Sequence, residues 1–187
     1  MTGVIKSEPF IINIGPQHPS THGVFRIRAT VDGEKVTDAE MVMGYLHRSM
    51  EKLAEERTYT QNIPFTDRTD YLSSMSNNLG YCLAVEKLAG IEVPARGNAI
   101  RVIMAELSRI NSHFMFLGAF GADVGSFGTS FIYGWREREE VMRFIETVTG
   151  LRMNHNFIRP GGVAADLPDD WRDHLLRTLE PIPERLE

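Results

Sequence analysis

The chain has 187 residues, 42% of them hydrophobic and 24% charged, with a formal net charge of −5. This is the composition of a folded globular chain with a sizeable core, about one domain or slightly more, and it excludes a disordered polypeptide. The acidic balance, with both signs mixed along the sequence, argues against a nucleic-acid partner, which requires clustered Lys and Arg.

The N-terminal stretch MTGVIKSEPF lacks a basic-then-apolar leader pattern. The next forty or so positions are β-rich. Phe10–Asn13, Val24–Val31 and Lys35–Val42 are short, partly alternating and β-branched or aromatic, so they predict three strands. Asp32-Gly33 between the last two predicts a tight hairpin with positive φ at both central positions. After Gly44 the period becomes helical. A first helix is expected from Leu46 to about Thr60, then a linker QNIPFTDR broken by Pro64. A second helix is expected from about Thr69 to Leu88, capped by Thr66 or Asp67, with Asp70 near its positive end and Gly90 as its stop. Cys82 lies within it, in LGYCLAVEKL, and reads as a buried small hydrophobe. Being the chain's single cysteine, it excludes an intramolecular disulfide framework and any cysteine-based zinc or iron–sulfur site held by this chain alone.

Ile100, Ile103, Met104, Leu107, Ile110, Phe114 and Leu117 form one apolar stripe at helical spacing, after the approach marked by Pro94. Gly118, Gly121 and Gly125 should end or bend that helix before Ser126. A fourth helix is expected from about Phe131 to Thr149, with Val141, Phe144, Ile145 and Val148 inward and REREE, Arg136–Glu140, as a solvated face. Gly150 stops it, an irregular stretch follows, and Trp171 to about Leu179 is a last amphipathic segment. No apolar run reaches the roughly 18–20 residues of a membrane-spanning helix, so a soluble chain of cytoplasmic type is expected. The predicted fold class is α+β, a small N-terminal antiparallel sheet over residues 1–43 followed by a helical bundle over residues 44–187.

Chemistry-bearing residues concentrate in a few places. GPQHPSTHG, Gly15 to Gly23, joins two strands that two to five residues would normally connect. It carries His18 and His22 four apart, the spacing of helical zinc ligands, but lacks the glutamate of the protease motif and an obvious third ligand. A ligand-contacting finger is favoured over a polar packing loop, and both over a metal site. TDRTDYL, Thr66–Leu72, is the second concentration, with Arg68, Asp70 and Tyr71 at the mouth of the bundle. A tyrosine there is more often an amphipathic packing residue than a catalytic one. Asp123 falls in an apolar, glycine-rich stretch where an unpaired buried carboxylate would be costly, so a partner is expected, and a histidine suits it. His113 reads as a satisfied structural histidine. His155 with Arg152 and Arg159 forms a basic patch beside a GG turn, an anion site or a subunit contact. There is no phosphate-binding glycine loop and no nucleophile elbow.

Taken in order, GPQHPSTHG, GYLHRSMEKLAEERTYTQNIPFTDRTDYL, ELSRINSHFMFLGAFGAD, WREREEVM and NFIRPGGV resemble the 49-kDa-type, or D-subunit, family of proton-pumping NADH–quinone oxidoreductase, respiratory complex I. The resemblance runs from about Phe10 to the end, and members are usually about twice as long, which implies a bundle incomplete at its C-terminus. The family is related to the large subunit of nickel–iron hydrogenases, but this sequence has no cysteine near RTDYL to hold nickel. The resemblance implies a quinone-headgroup pocket in place of the metal cavity, with His22 and Tyr71 as headgroup ligands and Asp123 as the carboxylate beside the histidine. It implies that Arg68 lies near the [4Fe–4S] cluster of the partner B subunit, and that this chain binds no cofactor alone. Many relatives have a histidine at the position aligned with Asn154, so His155 is the neighbour of that residue. Quinone would be the substrate, the B, C and H subunits and the hydrophilic arm the partners, and NAD would be reached only through other subunits. The complex would place the chain peripherally on the cytoplasmic side of a bacterial membrane. The alternative is a truncated non-catalytic paralogue or an assembly scaffold of the same complex.

Overall fold

The computed structural model describes residues 8–17, 24–126 and 128–186. The fold is α+β, as the sequence predicts, and the chain divides into two compact units, Met1–Leu53 and Ala54–Glu187.

The first unit is a three-stranded antiparallel sheet in the order β1 (Phe10–Ile14), β2 (Arg26–Asp32), β3 (Lys35–Val42). Phe10 pairs with Val31 and Ile14 with Ile27; Arg26 pairs with Val42 and Asp32 with Lys35. The hairpin turn is Gly33–Glu34, one residue later than expected, and only Gly33, at φ 63, has positive φ. A glycine at the first central position gives the other primed turn, in which the second residue needs no left-handed backbone. Only Ala29 and Val31 of the sheet are buried.

Helices α1 (Met50–Glu56) and α2 (Tyr59–Asp67) replace the expected single helix and linker. The break is a capping box: Thr58 Oγ1 accepts from Gln61 N–H and the Gln61 side chain accepts from Thr58 N–H. Thr58 takes extended backbone, which ends one helix and starts another. Pro64 sits inside α2 and does not end it. Replacing Thr58 by alanine should lower stability by about 1 kcal/mol, measured as a shift in the denaturant midpoint at unchanged slope.

The second unit's core lies among α3 (Ser74–Ala89), α4 (Ala95–Gly121) and α5 (Thr129–Thr149). Met104, Leu107 and Phe114 of α4 meet Val141, Phe144, Ile145 and Val148 of α5 there, as the stripes predict; Leu117 is half exposed. Gly90 and Gly150 end their helices in the left-handed conformation. A π-helical turn, Ala122–Ser126, with Gly125 at φ 102, makes the expected bend after α4. The last elements are a two-stranded hairpin, β4 (Ile158–Arg159) and β5 (Gly162–Val163), then α6 (Trp171–Leu179) and α7 (Ile182–Leu186).

REREE is not a solvated face. Glu137 and Arg138 are buried. Glu137 is held by Arg136 Nε at 2.7 Å and Arg185 Nη1 at 3.0 Å, while Arg138 stacks over Trp135. A five-residue charge run spans more than one helical turn, so part of it must face inward.

Candidate functional site

Residues 68–73 join α2 to α3, and the residues flanking them, Asp67 and Ser74, are both tied to one loop. Asp67 is fully buried, and its Oδ2 accepts from Asn156 N–H at 3.0 Å. Ser74, also buried, contacts His155 Nδ1 at 2.9 Å. His155 Nε2 lies 3.2 Å from Arg152 O, a carbonyl that can only accept. The proton is therefore on Nε2, and Nδ1 accepts from the Ser74 hydroxyl. Burial pushes the His155 pKa down, which keeps the ring neutral.

The loop that receives these bonds has an unusual backbone. Asn154 and Asn156 have φ of 54° and 45°, the left-handed region that asparagine tolerates better than other non-glycine residues. Two asparagines flanking His155 thus let the chain turn sharply and point the imidazole inward.

Between these anchors the segment bulges to the surface. Arg68 follows α2, and its Nη1 donates to Pro64 O at 2.7 Å. Asp70 Oδ1 accepts from Leu72 N–H at 3.1 Å, an Asx-type turn. Arg68 and Tyr71 are both exposed, Tyr71 at 43%. Rigid anchors behind and exposed guanidinium and phenol in front are what a ligand-contacting loop requires.

Several expectations need correction. Asp67 does not cap the second helix, which starts later, at Ser74; it ends α2 and faces the interior. His155, Arg152 and Arg159 do not form an open basic patch. His155 is buried and neutral, and Arg152 is paired with Glu139, Nη1 to Oε1 at 2.6 Å. His113 is exposed rather than structural. Asp123 lies exposed on the π-helical turn, so the burial that called for a partner is absent. No bond among the described residues links Asp123 to residues 66–74. His18 and His22 lie outside the described residues.

Beside Asp123 the surface is apolar: Phe120, Val124, Ile132 and Tyr133 are each more than half exposed. In the first unit, Phe25, Val42, Tyr45, Leu46 and His47 line an apolar cleft of about 540 Å³, within the range of small-molecule sites. No group of three or more His, Cys, Asp or Glu among the described residues could hold a metal ion. No helix among them is long and apolar enough to cross a membrane.

Sequence reasoning missed a second buried polar node. Arg101 and Glu86 are both buried and form a two-pronged ion pair, with Nη1 to Oε2 at 3.1 Å. Arg101 also donates to the carbonyls of Arg159 at 2.7 Å and Gly162 at 2.9 Å, and Gly161 N–H donates to Glu86 at 2.8 Å. The pair thus fixes IRPGGV, the continuation of the loop that holds His155. The only sequence signal was a charged residue at an inward helical position.

The family model described as respiratory-chain NADH dehydrogenase, 49 Kd subunit, matches residues 123–187. A curated D subunit of NADH-quinone oxidoreductase from Dehalococcoides mccartyi is 56% identical over 179 residues, covering 96% of this chain and 49% of the relative. The protein of the same description from Carboxydothermus hydrogenoformans is 55% identical over 185 residues, 97% of this chain and 50% of the relative. That from Mycolicibacterium smegmatis is 50% identical over 182 residues, 96% of this chain and 41% of the relative. The chain spans about half the length of the curated relatives it matches.

Proposed function

Because the chain belongs to the 49-kDa, or D-subunit, family of NADH–quinone oxidoreductases, we propose that it forms part of a quinone-headgroup site. The headgroup would be reduced by electrons from an iron–sulfur cluster held by a partner subunit. The observation that carries this reading is the anchored segment 66–74, with Arg68 and Tyr71 exposed in front of buried Asp67 and Ser74. The apolar cleft of the first unit and the exposed apolar surface beside Asp123 suit a chain that works covered by partners. The B, C and H subunits are the proposed neighbours, at the cytoplasmic side of a bacterial membrane.

Reducing a quinone to a quinol consumes two electrons and two protons. Negative charge builds on the carbonyl oxygens as the electrons arrive. A phenol and an imidazole both donate hydrogen bonds to such oxygens, and both can release a proton. His22 and Tyr71 are assigned these roles, with Asp123 as the carboxylate that favours the charged imidazole and compensates its proton loss. Arg68, a fixed positive charge, stabilises electrons arriving on the partner's cluster.

In the assembled enzyme, His22→Ala should lower quinone reduction about 100-fold or more while NADH still reduces the partner's cluster. Tyr71→Phe, which deletes only the hydroxyl, should act in the same direction. Unchanged quinone reduction in both variants overturns the reading and favours a scaffold that keeps the fold without the site.

A further inference from the structure

Among the described residues of this neighbourhood, Asp67 is the one whose charge state the fold leaves open. It is fully buried, and no cation forms an ion pair with it among the described residues. Its Oδ2 is held by Asn156 N–H, but its Oδ1 has no hydrogen-bond partner. A buried carboxylate with an empty acceptor position is expensive, and taking up a proton relieves it.

The surroundings can serve both states. Asn78 and Asn156, the two asparagines beside it, each have a buried carboxamide oxygen without a donor. An asparagine offers N–H to an ionised carboxylate and, after a half-turn of the amide, an oxygen to a protonated one. Asn78 Nδ2 donates to Thr66 Oγ1 at 2.9 Å and Thr66 Oγ1 donates to Ile63 O at 2.7 Å, so the asparagine is already oriented by α2.

The other charged and titratable groups around the carboxyl are few. Arg68, its sequence neighbour, favours ionisation, as do Asn156 N–H and Asn78; burial outweighs them and pushes the carboxyl up to about 6. Cys82 on α3 is pushed up to about 11 by burial and stays neutral. His155, on the facing loop, is held neutral by burial. Glu86, farther along α3, is compensated by Arg101.

We propose that Asp67 is a proton-binding site. Ionised, it holds the loop of residues 154–156 through Asn156 N–H; protonated on the free Oδ1, it keeps that bond and loses its charge. One proton enters from solvent and no other covalent bond is made or broken. A carboxyl changing charge close to neutrality, beside Arg68 and one short turn before Tyr71, is placed to buffer a reaction that consumes protons. That use of the proton rests on the quinone reading above; the binding itself does not.

The test is an infrared titration, over about pH 5 to 8, of the enzyme that contains this chain, with and without carbon-13-labelled aspartate. The expected result is a label-sensitive carboxylic-acid carbonyl band with a midpoint near pH 6, missing in Asp67→Asn. Identical titration spectra of the wild type and Asp67→Asn overturn the proposal. Where Asp67→Asn does not assemble, Arg68→Gln at its exposed position decides: losing the adjacent positive charge should raise the band's midpoint, and a band that stays in place is not Asp67. A titrating Asp67 in an enzyme indifferent to both His22→Ala and Tyr71→Phe would remove the quinone reading and leave the proton site standing.

Discussion

Replacing Arg101 by leucine should destabilise the helical unit by about 3–5 kcal/mol, read as a large fall in the denaturation midpoint. The buried guanidinium serves four groups: both carboxylate oxygens of Glu86 and the carbonyls of Arg159 and Gly162. Removing it leaves a buried carboxylate without its cation and strands two carbonyls, each an unmet desolvation cost. Glu86→Gln should be milder in shape but similar in direction, because it leaves Arg101 charged and buried. Its pH dependence separates the two. Arg101 holds the Glu86 carboxyl below its ordinary value. A depressed carboxylate contributes stability above its unfolded pKa, and that contribution is lost as pH falls through the folded value. Glu86→Gln should therefore show a shallower acid limb than the wild type. Asp67 has the opposite sign: its folded pKa is raised to about 6, so its contribution is lost as pH rises through that value. Guanidinium in reach, or only amides in reach, is what separates the two carboxylates.

Helical and strand periodicity located most elements, because burial on one face repeats at a fixed spacing. Val141, Phe144, Ile145 and Val148 are buried as their spacing predicts, and Trp171–Leu179 forms a helix over the predicted range. Thr58 shows where such reading stops: a capping box reads as part of a continuous helical pattern until the backbone bond is seen. Pro64 shows the converse, a breaker by residue type that stays inside a helix. In the candidate site, the surface residues were legible and their supports were not. Arg68 and Tyr71 stood out because polar groups cluster around them in sequence. Ser74 and Asp67 are held by residues 81 and 89 positions away, and no local pattern signals a bond across that distance. The expected burial of Asp123 shows a related limit, since an apolar neighbourhood in sequence does not establish burial in space.

Gly134→Leu should push α4 and α5 apart and lower stability by about 3 kcal/mol, the upper end of the overpacking range. The two helices make their closest approach where glycines face each other. A Cβ placed on Gly134 would sit 2.6 Å from the carbonyl oxygen of Phe114 and 3.5 Å from the Cα of Gly118. One on Gly118 would lie 3.2 Å from the Cα of Phe131. These obstacles are backbone, so no rotamer change relieves them, and the helices themselves must separate. Phe114 and Gly118 are buried on α4, and Ser130 Oγ donates to Gly118 O at 3.1 Å across the same crossing. Moving α5 outward loosens that bond and opens the core around Phe114. Gly134→Ala should follow the same course with a smaller loss, and its helix propensity gain over glycine, about 1 kcal/mol, offsets only part of it. Thermal denaturation of both variants checks the order: a leucine variant as stable as the wild type would show that the crossing is not closed by the glycines.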